Sequence, residues 1–597
     1  MEKHLVEMMR NRASRYGTRE VFRFKETGAK DYKSYTWQEL NNTTDRVAKS
    51  LLSLGFGPKS NIGIFSDNKP QWTLADLGIL AIRGVVVPFF STASKQQLKY
   101  IVDETRMELM FVGNREQLEK AVWLFDNSDS LKKVVCFYED LTADEDARCI
   151  SWNDFLKLGA SGSFDNQLSK ILESAEPDDL ATIIYTSGTT GEPKGVMLGQ
   201  DNFMSCFKNH DERLKVTEED VSLCFLPLSH IFERSWTFYM LHRGAVNVYL
   251  ENPKTVIEEL PKVRPSLMCT VPRFFEKTHE GIRIEEARWA PGKRKIFEWA
   301  VLTGMEYSAY LKNNEQPPLG VRVRRGIADL LVLKKLRSIF GGNIRYMPCA
   351  GAAINPELLK FFHAAGLFVN YGYGATETTA TVSCFRDDVY EFEASGTVMP
   401  GTTVRISEQD EILVQGATVF KGYYNKPEET AKVLKDGCYH SGDQGTFSEA
   451  GNLIMLDRIN DIFKTSGGKF VSPQKVELLL GKDPFIEQVV VLGDNRKFIC
   501  ALIVPSFVAL KSQFGAISKA FPDDKSLIVH PSVQEFFRNR LEQIQEELMP
   551  HEKAVKFTLL PEAFSIENEV LTSTLKIRRK VIYEKYRELI DAMYLSR

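Results

Sequence analysis

"YTSGTTGEPKG", residues Tyr185–Gly195, places three glycines, three threonines, a serine and a lysine in one short loop. It directly follows "ATII", an apolar and β-branched run that predicts a buried strand. Glycines let backbone N–H groups approach an anion, hydroxyls donate to its oxygens, and a lysine adds positive charge. Composition alone leaves two interpretations open: a loop that holds phosphate groups, or an ordinary surface turn.

The spacing within this loop differs from the commonest phosphate-binding pattern. That pattern, G-x-x-x-x-G-K-[ST], has a lysine directly after its second glycine. Here Gly191 follows Gly188 by three positions, and Lys194 follows a proline. A phosphate-binding role would therefore belong to a different fold.

The composition of the chain is typical of a globular protein with several cores. It has 597 residues, too many for one hydrophobic core, and a net charge of −3 at pH 7. Because this charge shows no electrostatic footprint for nucleic acid, we expect no nucleic-acid partner. The nine cysteines form no C-x-x-C pair, which argues against a zinc site and a disulfide framework.

Two stretches bear on the location of the protein in the cell. The most apolar run, Leu77–Phe90, is interrupted by Arg83 and is too short to span a bilayer. The N-terminal residues Met1–Gly17 lack the apolar core of a signal peptide. We therefore expect a cytoplasmic protein.

Strand and helix patterns alternate through most of the chain. Helix-length segments separate the predicted strands, which are "NIGIFSDN", "GVVVPFF", "LKKVVCFY", "ATIIYT", "SLMCTVP", "NIRYMPCAG" and "LFVNYGYG". This alternation predicts an α/β fold of parallel sheets covered on both faces, with ligands beyond the carboxyl ends of the strands. The "YTSGTTGEPKG" and "YGYGATE" loops both follow predicted strands.

The pattern changes twice toward the C-terminus. From about residue 398 to residue 456, short strands and turn residues indicate a small β-rich subdomain. Beyond it, two strand patterns and later helical segments indicate a compact α+β unit. We predict an N-terminal domain of residues 1–456 and a C-terminal domain of residues 457–597.

Six stretches resemble the motifs of the adenylate-forming superfamily and follow one another in the order typical of that superfamily. It includes acyl-CoA synthetases, luciferases and peptide-synthetase adenylation domains. They are "YTSGTTGEPKG", "YGATE" (373–377), "GYYNKPEET" (422–430), "YHSGD" (439–443), "DRINDIFKTSGGKFVSPQKVE" (457–477) and "LTSTLKIRR" (571–579). Within that superfamily, "LPLSHIFER" (226–234) and "VPRFFEK" (271–277) are most similar to long-chain fatty acyl-CoA synthetases.

The resemblance implies a reaction in two halves. A carboxylate attacks the α-phosphate of ATP and gives acyl-AMP and pyrophosphate, with Mg²⁺ as cofactor. The thiolate of coenzyme A then displaces AMP. The implied partners are a fatty acid, ATP and coenzyme A, and a mobile C-terminal domain would serve the two halves in turn. The sequence leaves monomer and homodimer open.

The family motifs also imply roles for the phosphate-binding residues. The pyrophosphate would lie against Thr186, Ser187, Gly188, Thr189, Thr190 and Lys194. Thr376 would contact the α-phosphate, and Glu377 would hold Mg²⁺ together with Thr186. Simpler roles remain open: Glu377 as a cap on a following helix, and Lys194 as a solvated charge or lid contact.

For the nucleoside, the motifs imply a flat apolar slot and acceptors for the ribose. The adenine would contact Gly351, Ala352, Tyr371, Gly372 and Tyr373. Asp443 would accept from both ribose hydroxyls, and Arg458 would reach the ribose or a phosphate. The alternatives are a turn aspartate for Asp443 and an interdomain salt bridge for Arg458.

Three more residues receive roles from the resemblance. Lys576 would bridge the substrate carboxylate and the α-phosphate in the transition state. His230 would lie at the acyl carboxylate, and Asp457 would be the hinge between the domains. Read alone, "KIRRK" is a solvated basic surface and His230 a buried structural histidine.

The sequence departs from the family pattern at two positions. Gln200 stands where a histidine is common, and Asn460 stands where a lysine is usual. Both departures concern contacts with coenzyme A or the nucleotide. No core catalytic group is lost, so we expect activity.

The stretch Val321–Phe340 has six basic residues, one acidic residue and leucines at helical spacing. A basic amphipathic helix of this kind can make transient contact with the inner face of a membrane. The alternative is a surface helix whose apolar stripe packs on the core.

The leading prediction is an ATP-dependent long-chain fatty acid–CoA ligase. Two alternatives stay open: a ligase that loads a carrier protein from acyl-AMP, and a non-catalytic regulator that binds acyl groups or nucleotides.

Overall fold

The structure is a computed structural model that describes residues 2–26, 28–139, 146–186, 192–313, 315–459, 461–521, 523–565, 568, 570–571 and 577–595. Up to residue 263 its strands are β1 (Glu20–Phe24), β2 (Lys33–Thr36), β3 (Asn61–Phe65), β4 (Val85–Phe89), β5 (Leu109–Val112), β6 (Lys133–Cys136), β7 (Cys149–Ser151), β8 (Leu180–Thr186), β9 (Lys194–Gly199), β10 (Val221–Cys224) and β11 (Val246–Tyr249). The helices of this part are α1 (Leu5–Tyr16), α2 (Trp37–Ser53), α3 (Pro70–Ala81), α4 (Lys95–Thr105), α5 (Arg115–Asn127), α6 (Trp152–Leu158), α7 (Asp165–Glu173), α8 (Gln200–Arg213), α9 (Ile231–Arg243) and α10 (Val256–Val263).

Beyond residue 263 the strands are β12 (Tyr346–Cys349), β13 (Phe368–Tyr373), β14 (Ser383–Cys384), β15 (Thr397–Val398), β16 (Thr402–Ile406), β17 (Glu411–Gly416), β18 (Leu434–Lys435), β19 (Cys438–Phe447), β20 (Leu453–Arg458), β21 (Phe463–Lys464), β22 (Phe470–Val471), β23 (Ile486–Leu492), β24 (Ile499–Pro505) and β25 (Ala554–Leu559). The helices are α11 (Pro272–Ala287), α12 (Pro291–Lys312), α13 (Leu319–Ala328), α14 (Lys334–Ile339), α15 (Pro356–Ala364), α16 (Pro427–Val433), α17 (Pro473–Leu480), α18 (Phe507–Gln513), α19 (Gly515–Ala520), α20 (Asp524–Ile528), α21 (Pro531–Ile544), α22 (Arg579–Lys585) and α23 (Arg587–Leu595). A π-helical turn, Asp329–Leu333, joins α13 to α14.

The largest sheet has seven strands in the order β7-β6-β5-β3-β4-β8-β9. All neighbours in it are parallel except β8 and β9, which pair antiparallel. The Tyr185 loop therefore connects the two strands of a hairpin, with Thr186 opposite Lys194. This connection explains why its glycine spacing differs from that of a loop between a strand and a helix.

A second sheet surface is made of two four-stranded parts, β10-β11-β1-β2 and β12-β13-β14-β15. The stretch "SLMCTVP" lies between them, and the prediction of a regular strand there was wrong. Leu267 bridges Ser222 and Tyr346, and Thr270 bridges Cys349, but only as isolated pairs. Pro272 at its end lacks a backbone donor and begins α11, which limits the ladder.

Two helices pack deep in the N-terminal domain. Nearly every residue of α3 is buried, which explains why its sequence is apolar around the whole helix. In α9, Arg234 is only 1% exposed and donates two hydrogen bonds, of 2.6 and 2.7 Å, to the buried carboxylate of Asp76 in α3. Arg234 Nη1 also donates to Thr182 Oγ1 of β8 at 2.6 Å. These bonds join both helices to the strand that leads into the glycine-rich loop.

Beyond the second sheet, β16–β20 form an antiparallel five-stranded sheet, as the β-rich pattern predicted. The three-stranded sheet β23-β24-β25 with its helices forms a separate core. The prediction of an α/β fold with a large N-terminal domain of several sheets and a smaller C-terminal domain is confirmed. The boundary between residues 456 and 457, and the mobility of the C-terminal domain, stay predictions. Within the described residues, no helix combines the length and apolar character needed to cross a bilayer.

Candidate active site

Two of the residues predicted to bind the nucleotide, Tyr373 and Arg458, contact the carboxylate of a third, Asp443. In the antiparallel pair of β19 and β20, Asp443 lies opposite Arg458, and Arg458 Nε is 3.2 Å from Asp443 Oδ1. Tyr373, the last residue of β13, donates from its hydroxyl to Asp443 Oδ2 at 2.6 Å. Burial, reinforced by the charge of Asp443, raises the pKa of Tyr373 well above its usual value. The hydroxyl is therefore a fixed donor, and Asp443 is oriented from two sides.

Glu377 lies on a three-residue 3₁₀ turn, Thr376–Thr378, directly after β13 and Gly374–Ala375. Its carboxylate accepts a hydrogen bond of 2.9 Å from the Tyr423 hydroxyl. Ala375 N donates to the hydroxyl of Thr378, so Thr378 caps this turn. In the fully described stretch 315–459, the next α-helix begins only at Pro427, so Glu377 is not the cap of a following helix.

Lys194 lies on the other side of Tyr423. Its Nζ is 5.2 Å from the centre of the Tyr423 ring and 2.6 Å from Glu429 Oε2. Lys194, followed by Lys432, lowers the pKa of Glu429 to about 2, so this carboxylate is charged at neutral pH. Lys194, Tyr423 and Glu377 therefore form one polar row beside the glycine-rich loop.

Several predicted residues lie outside the described residues: Ser187, Gly188, Thr189, Thr190, Lys576 and the departure Asn460. The structure describes both ends of the loop. Thr186 Oγ1 donates to the carbonyl of Lys194 at 3.5 Å across the hairpin.

The predicted adenine slot lies at the ends of two neighbouring parallel strands. β12 pairs with β13, which brings Gly351 and Ala352 beside Tyr371. The Tyr371 hydroxyl donates to the carbonyl of Ala352 at 3.2 Å. Gly372 has a further, structural reason to lack a side chain, because a Cβ there would lie 2.4 Å from the carbonyl oxygen of Ser383.

A small cavity of about 30 Å³ lies beside Tyr373 in the N-terminal domain. Phe232 and Trp236 of α9 line it, and Trp236 also belongs to the hydrophobic core that contains Phe238. His230 is the N-cap of α9, and its Nδ1 accepts from the backbone N–H of Phe232 at 3.2 Å. The histidine therefore lies at the end of the helix that lines this cavity.

Asp457 joins the end of β20 to the start of α17. Its Oδ1 accepts from Arg458 N at 2.7 Å, and its Oδ2 accepts from Ser472 Oγ at 2.5 Å and from Gln474 N at 3.3 Å. Burial raises the pKa of this carboxyl, while these donors act in the opposite direction. The carboxylate of the predicted hinge residue thus binds only residues of the predicted C-terminal domain, whereas its position in β20 pairs with Gln444 of β19 in the N-terminal domain.

Comparisons with known proteins now decide the family. A model of the AMP-binding enzyme family matches residues 9–424, and a model of the AMP-binding enzyme C-terminal domain matches residues 460–597. The chain belongs to the AMP-binding enzyme family. It is an ATP-dependent ligase that forms acyl adenylates, and it binds ATP and an acyl substrate. The open alternative of a non-catalytic regulator is therefore set aside.

The ligase is similar over most of its length to several relatives. It is 31% identical over 566 residues to the long-chain-fatty-acid–CoA ligase FadD15 of Mycobacterium bovis, covering 94% of this chain and 92% of the relative. It is 29% identical over 603 residues to the long chain acyl-CoA synthetase 1 of Arabidopsis thaliana, covering 94% and 87%. The crystal structure of the anthranilate CoA ligase AuaEII with anthranoyl-AMP superposes with a TM-score of 0.73 at 16% identity, over 99% of this chain and all of that one. This last likeness concerns the fold.

Sequence reasoning missed Tyr423 as a site residue of the ligase. It contacts Glu377 by its hydroxyl and Lys194 by its ring face. Tyr423 is the second residue of the "GYYNKPEET" motif, and that motif was its only signal in the sequence.

The departure at Gln200 has a structural role. Its side chain is buried, and Oε1 accepts from the backbone N–H of Leu5 at 3.0 Å. Gln200 thus holds the start of α1 against the start of α8.

Proposed function

We propose that this ligase joins a long-chain fatty acid to coenzyme A through an acyl-AMP intermediate, releasing AMP and pyrophosphate. The observation that carries the proposal is the cavity beside Tyr373, whose walls are mostly apolar and include Phe232 and Trp236. An acyl chain would widen this small cavity and extend from the nucleotide residues into the domain. Relatives at 29–31% identity that are named for long-chain substrates support the same class of acid.

In this proposal Asp443 accepts from both ribose hydroxyls. A carboxylate offers about four acceptor positions. Tyr373 and Arg458 occupy one on each oxygen, which leaves two for the ribose. The adenine would lie against Gly351, Ala352, Tyr371 and Tyr373 at the ends of β12 and β13.

The departing pyrophosphate would contact Thr186, residues 187–190 and Lys194. The Lys194 ammonium has three donors, so it can keep Glu429 and still reach an anion. Thr376 would contact the α-phosphate. Glu377 and Thr186 present the hard oxygen donors that Mg²⁺ prefers when phosphates complete its coordination. Bound Mg²⁺ supplies positive charge against the phosphate oxygens.

The two half-reactions need different groups at the α-phosphate. Lys576 would neutralise the charge that develops during adenylation, with His230 near the acyl carboxylate. Coenzyme A would then need the space that Lys576 occupied. Rotation of residues 457–597 about Asp457 would exchange the two arrangements.

Purified protein with ATP, Mg²⁺ and coenzyme A tests the reaction on palmitate and on acetate. We expect a thioester, and a higher kcat/KM for palmitate, because each buried methylene contributes about 0.8 kcal/mol. Equal kcat/KM values for the two acids would contradict the long-chain assignment. Accumulation of free acyl-AMP without thioester would instead favour a ligase that loads a carrier protein.

We also propose that the protein is cytoplasmic and that α13 and the start of α14 contact the inner face of a membrane. The predicted alternative, packing on the core, accounts for only part of the apolar residues, namely Val321, Ala328, Leu333, Leu336 and Phe340. A second set points to solvent and consists of Leu319, Val323, Ile327, Leu330 and Leu331, with exposed fractions from 46% to 74%. Exposed Arg322, Lys334 and Lys335 flank this set, and their charge is complementary to anionic lipid headgroups.

Sedimentation with vesicles tests this surface. We expect the protein to bind phosphatidylcholine vesicles better when they contain phosphatidylglycerol, and less at high salt. Serines at both Leu330 and Leu331 should reduce binding, whereas the control Leu302→Ser, on exposed α12, should not. If the double variant changes the oligomeric state and leaves vesicle binding intact, the surface is an interface between copies of the chain.

A further inference from the structure

The first end of the glycine-rich loop is bound to helix α4. Tyr185, the residue before Thr186 in β8, is 6% exposed, and its hydroxyl donates to Glu104 Oε2 in the last turn of α4. Burial, followed by the carboxylate of Glu104, raises the pKa of Tyr185 above its usual value, so the hydroxyl stays a donor. A bond to a charged acceptor is stronger than one between neutral groups. The start of the loop therefore has a fixed partner outside the hairpin.

The second end of the loop contacts the same helix. Tyr100, one turn before Glu104, donates from its hydroxyl to the carbonyl of Pro193 at 3.3 Å. The ammonium of Lys426 lies between two carboxylates, 3.4 Å from Glu192 Oε2 and 3.9 Å from Glu104 Oε1. Both ends of the loop are therefore connected to one helix, and Glu104 takes part in each connection.

The ring of Tyr185 also links the two strands of the hairpin. Tyr185 lies opposite Gly195, and a Cβ at Gly195 would be 3.1 Å from the Tyr185 ring. Leu98 of α4 packs in the same hydrophobic core as this ring, which fixes the helix relative to β8. A displacement of Tyr185 would therefore shift its neighbour Thr186 and the opposite residue, Lys194.

We infer that Glu104 is a positioning residue that sets both ends of the glycine-rich loop for the pyrophosphate part of ATP, through Tyr185 and Lys426. The proposed function assigns Thr186 and Lys194 to that part, whereas the AMP part would lie at other elements. Glu104 acts through its neighbours and not on the reacting atoms. This inference rests on the proposed function, because the pyrophosphate contacts of the loop belong to it.

Calorimetric titration with ATP, pyrophosphate and AMP, in the presence of Mg²⁺ and without fatty acid or coenzyme A, tests the inference. Glu104→Ala removes the acceptor of the Tyr185 hydroxyl. We expect its affinity for ATP and pyrophosphate to fall about tenfold, within the contribution of one hydrogen bond to a charged group, and its affinity for AMP to stay within about twofold of wild type. Glu104→Gln keeps an acceptor and should restore most of the loss. The control Asp103→Ala removes the neighbouring carboxylate of α4, which binds Lys99 and Ser128, and should change none of the three affinities.

A second variant tests the bond from its other side. Tyr185→Phe keeps the ring beside Gly195 but loses the hydroxyl, and should weaken ATP binding as Glu104→Ala does. The double variant should lose little more than either single variant, because both remove the same bond. The AMP titration of each sample corrects for any misfolded fraction.

Equal losses for ATP and AMP in Glu104→Ala, or wild-type affinity for ATP, overturn the inference. Because these titrations contain no acid, their result is independent of the test with palmitate. A loss confined to ATP and pyrophosphate, in a protein that forms no thioester, supports the role of Glu104 and contradicts the proposed reaction. Equal losses for ATP and AMP with normal thioester formation give the opposite result.

Discussion

The hydroxyl of Tyr423 donates a hydrogen bond of 2.9 Å to Glu377 Oε1, which joins the "GYYNKPEET" and "YGATE" motifs directly. Burial and the charge of Glu377 raise the pKa of Tyr423, so it stays a donor over the whole physiological range. One carboxylate oxygen of Glu377 is thereby fixed. The other is left for the cation of the proposed reaction.

We predict that Glu377→Gln lowers kcat about 100-fold and raises the Mg²⁺ concentration needed for half-maximal rate, because a charged ligand becomes a neutral amide. Tyr423→Phe, which keeps the carboxylate but loses its orientation, should have a smaller effect in the same direction. The exposed Glu428→Gln serves as control. Pyrophosphate release measured across a Mg²⁺ titration checks this, and a wild-type rate for Glu377→Gln at limiting Mg²⁺ would exclude a metal role.

A second prediction concerns the ribose site. Tyr373→Phe removes a hydrogen bond to the buried carboxylate of Asp443, and bonds to charged groups contribute about 1.5–3 kcal/mol. We expect KM for ATP to rise about tenfold or more, with a smaller change in KM for the fatty acid. Steady-state kinetics with each substrate varied in turn give the two values. Equal changes in both would indicate a general loss of structure.

A third prediction separates the two half-reactions. Proline at Asp457 would fix φ near −65° and restrict the preceding residue, so Asp457→Pro should keep acyl-AMP formation and lose transfer to coenzyme A. Lys576→Ala should lose adenylation but still convert supplied acyl-AMP to the thioester. Pyrophosphate release and thioester formation from synthetic acyl-AMP report the two steps.

The control for the hinge is Asp457→Asn, which keeps a hydrogen-bond acceptor for Arg458 N or Ser472 and leaves φ unrestricted. It should retain both steps. If Asp457→Pro and Lys576→Ala reduce the two steps in equal proportion, rotation about Asp457 is the wrong mechanism.

A fourth prediction concerns pH and Glu233, whose side chain is completely buried. Burial raises the pKa of this carboxyl from 4.5 to about 8. The hydrogen bond that Leu226 N donates to it lowers the pKa, but burial has the larger effect. The folded state therefore binds more protons than the unfolded state between pH 5 and 8, so stability falls as pH rises through this range. Above about pH 8 the carboxyl is ionised in both states and the trend ends.

Glu233→Gln removes this titration. We expect its free energy of unfolding relative to wild type to increase by a few kcal/mol from pH 5 to pH 8. Urea unfolding at several pH values, followed by tryptophan fluorescence, checks the difference. Parallel profiles for the two proteins would show that Glu233 does not titrate in this range.

The sequence predicted the elements that local patterns determine. The strands before Thr186 and after Phe368 are apolar runs that end in turn residues, and the structure has both. The side-chain pairs of the site are different, because their partners are far apart in sequence. Lys194 and Glu429 are separated by 235 positions, and Tyr423 and Glu377 by 46. No local propensity encodes such contacts.

The failed strand prediction at "SLMCTVP" has a related cause. Its apolar residues are buried as expected, but the ladder depends on neighbours that the local sequence does not specify. The motif resemblance assigned Tyr373, Asp443 and Arg458 to one nucleotide site, and in the structure Tyr373 and Arg458 both contact Asp443, since a motif carries long-range information that periodicity lacks.

The buried guanidinium of Arg234 spans three elements that serve different reactants in the proposed reaction. It binds Asp76 of α3 and Thr182 of β8, and it lies one helical turn after His230. One buried side chain thus connects the strand that leads into the glycine-rich loop and the helix that lines the cavity. In the proposed reaction, thermal motion of this buried cluster would move ATP and the acyl substrate together. Their alignment with each other would then be kept without direct contact between the segments that bind them.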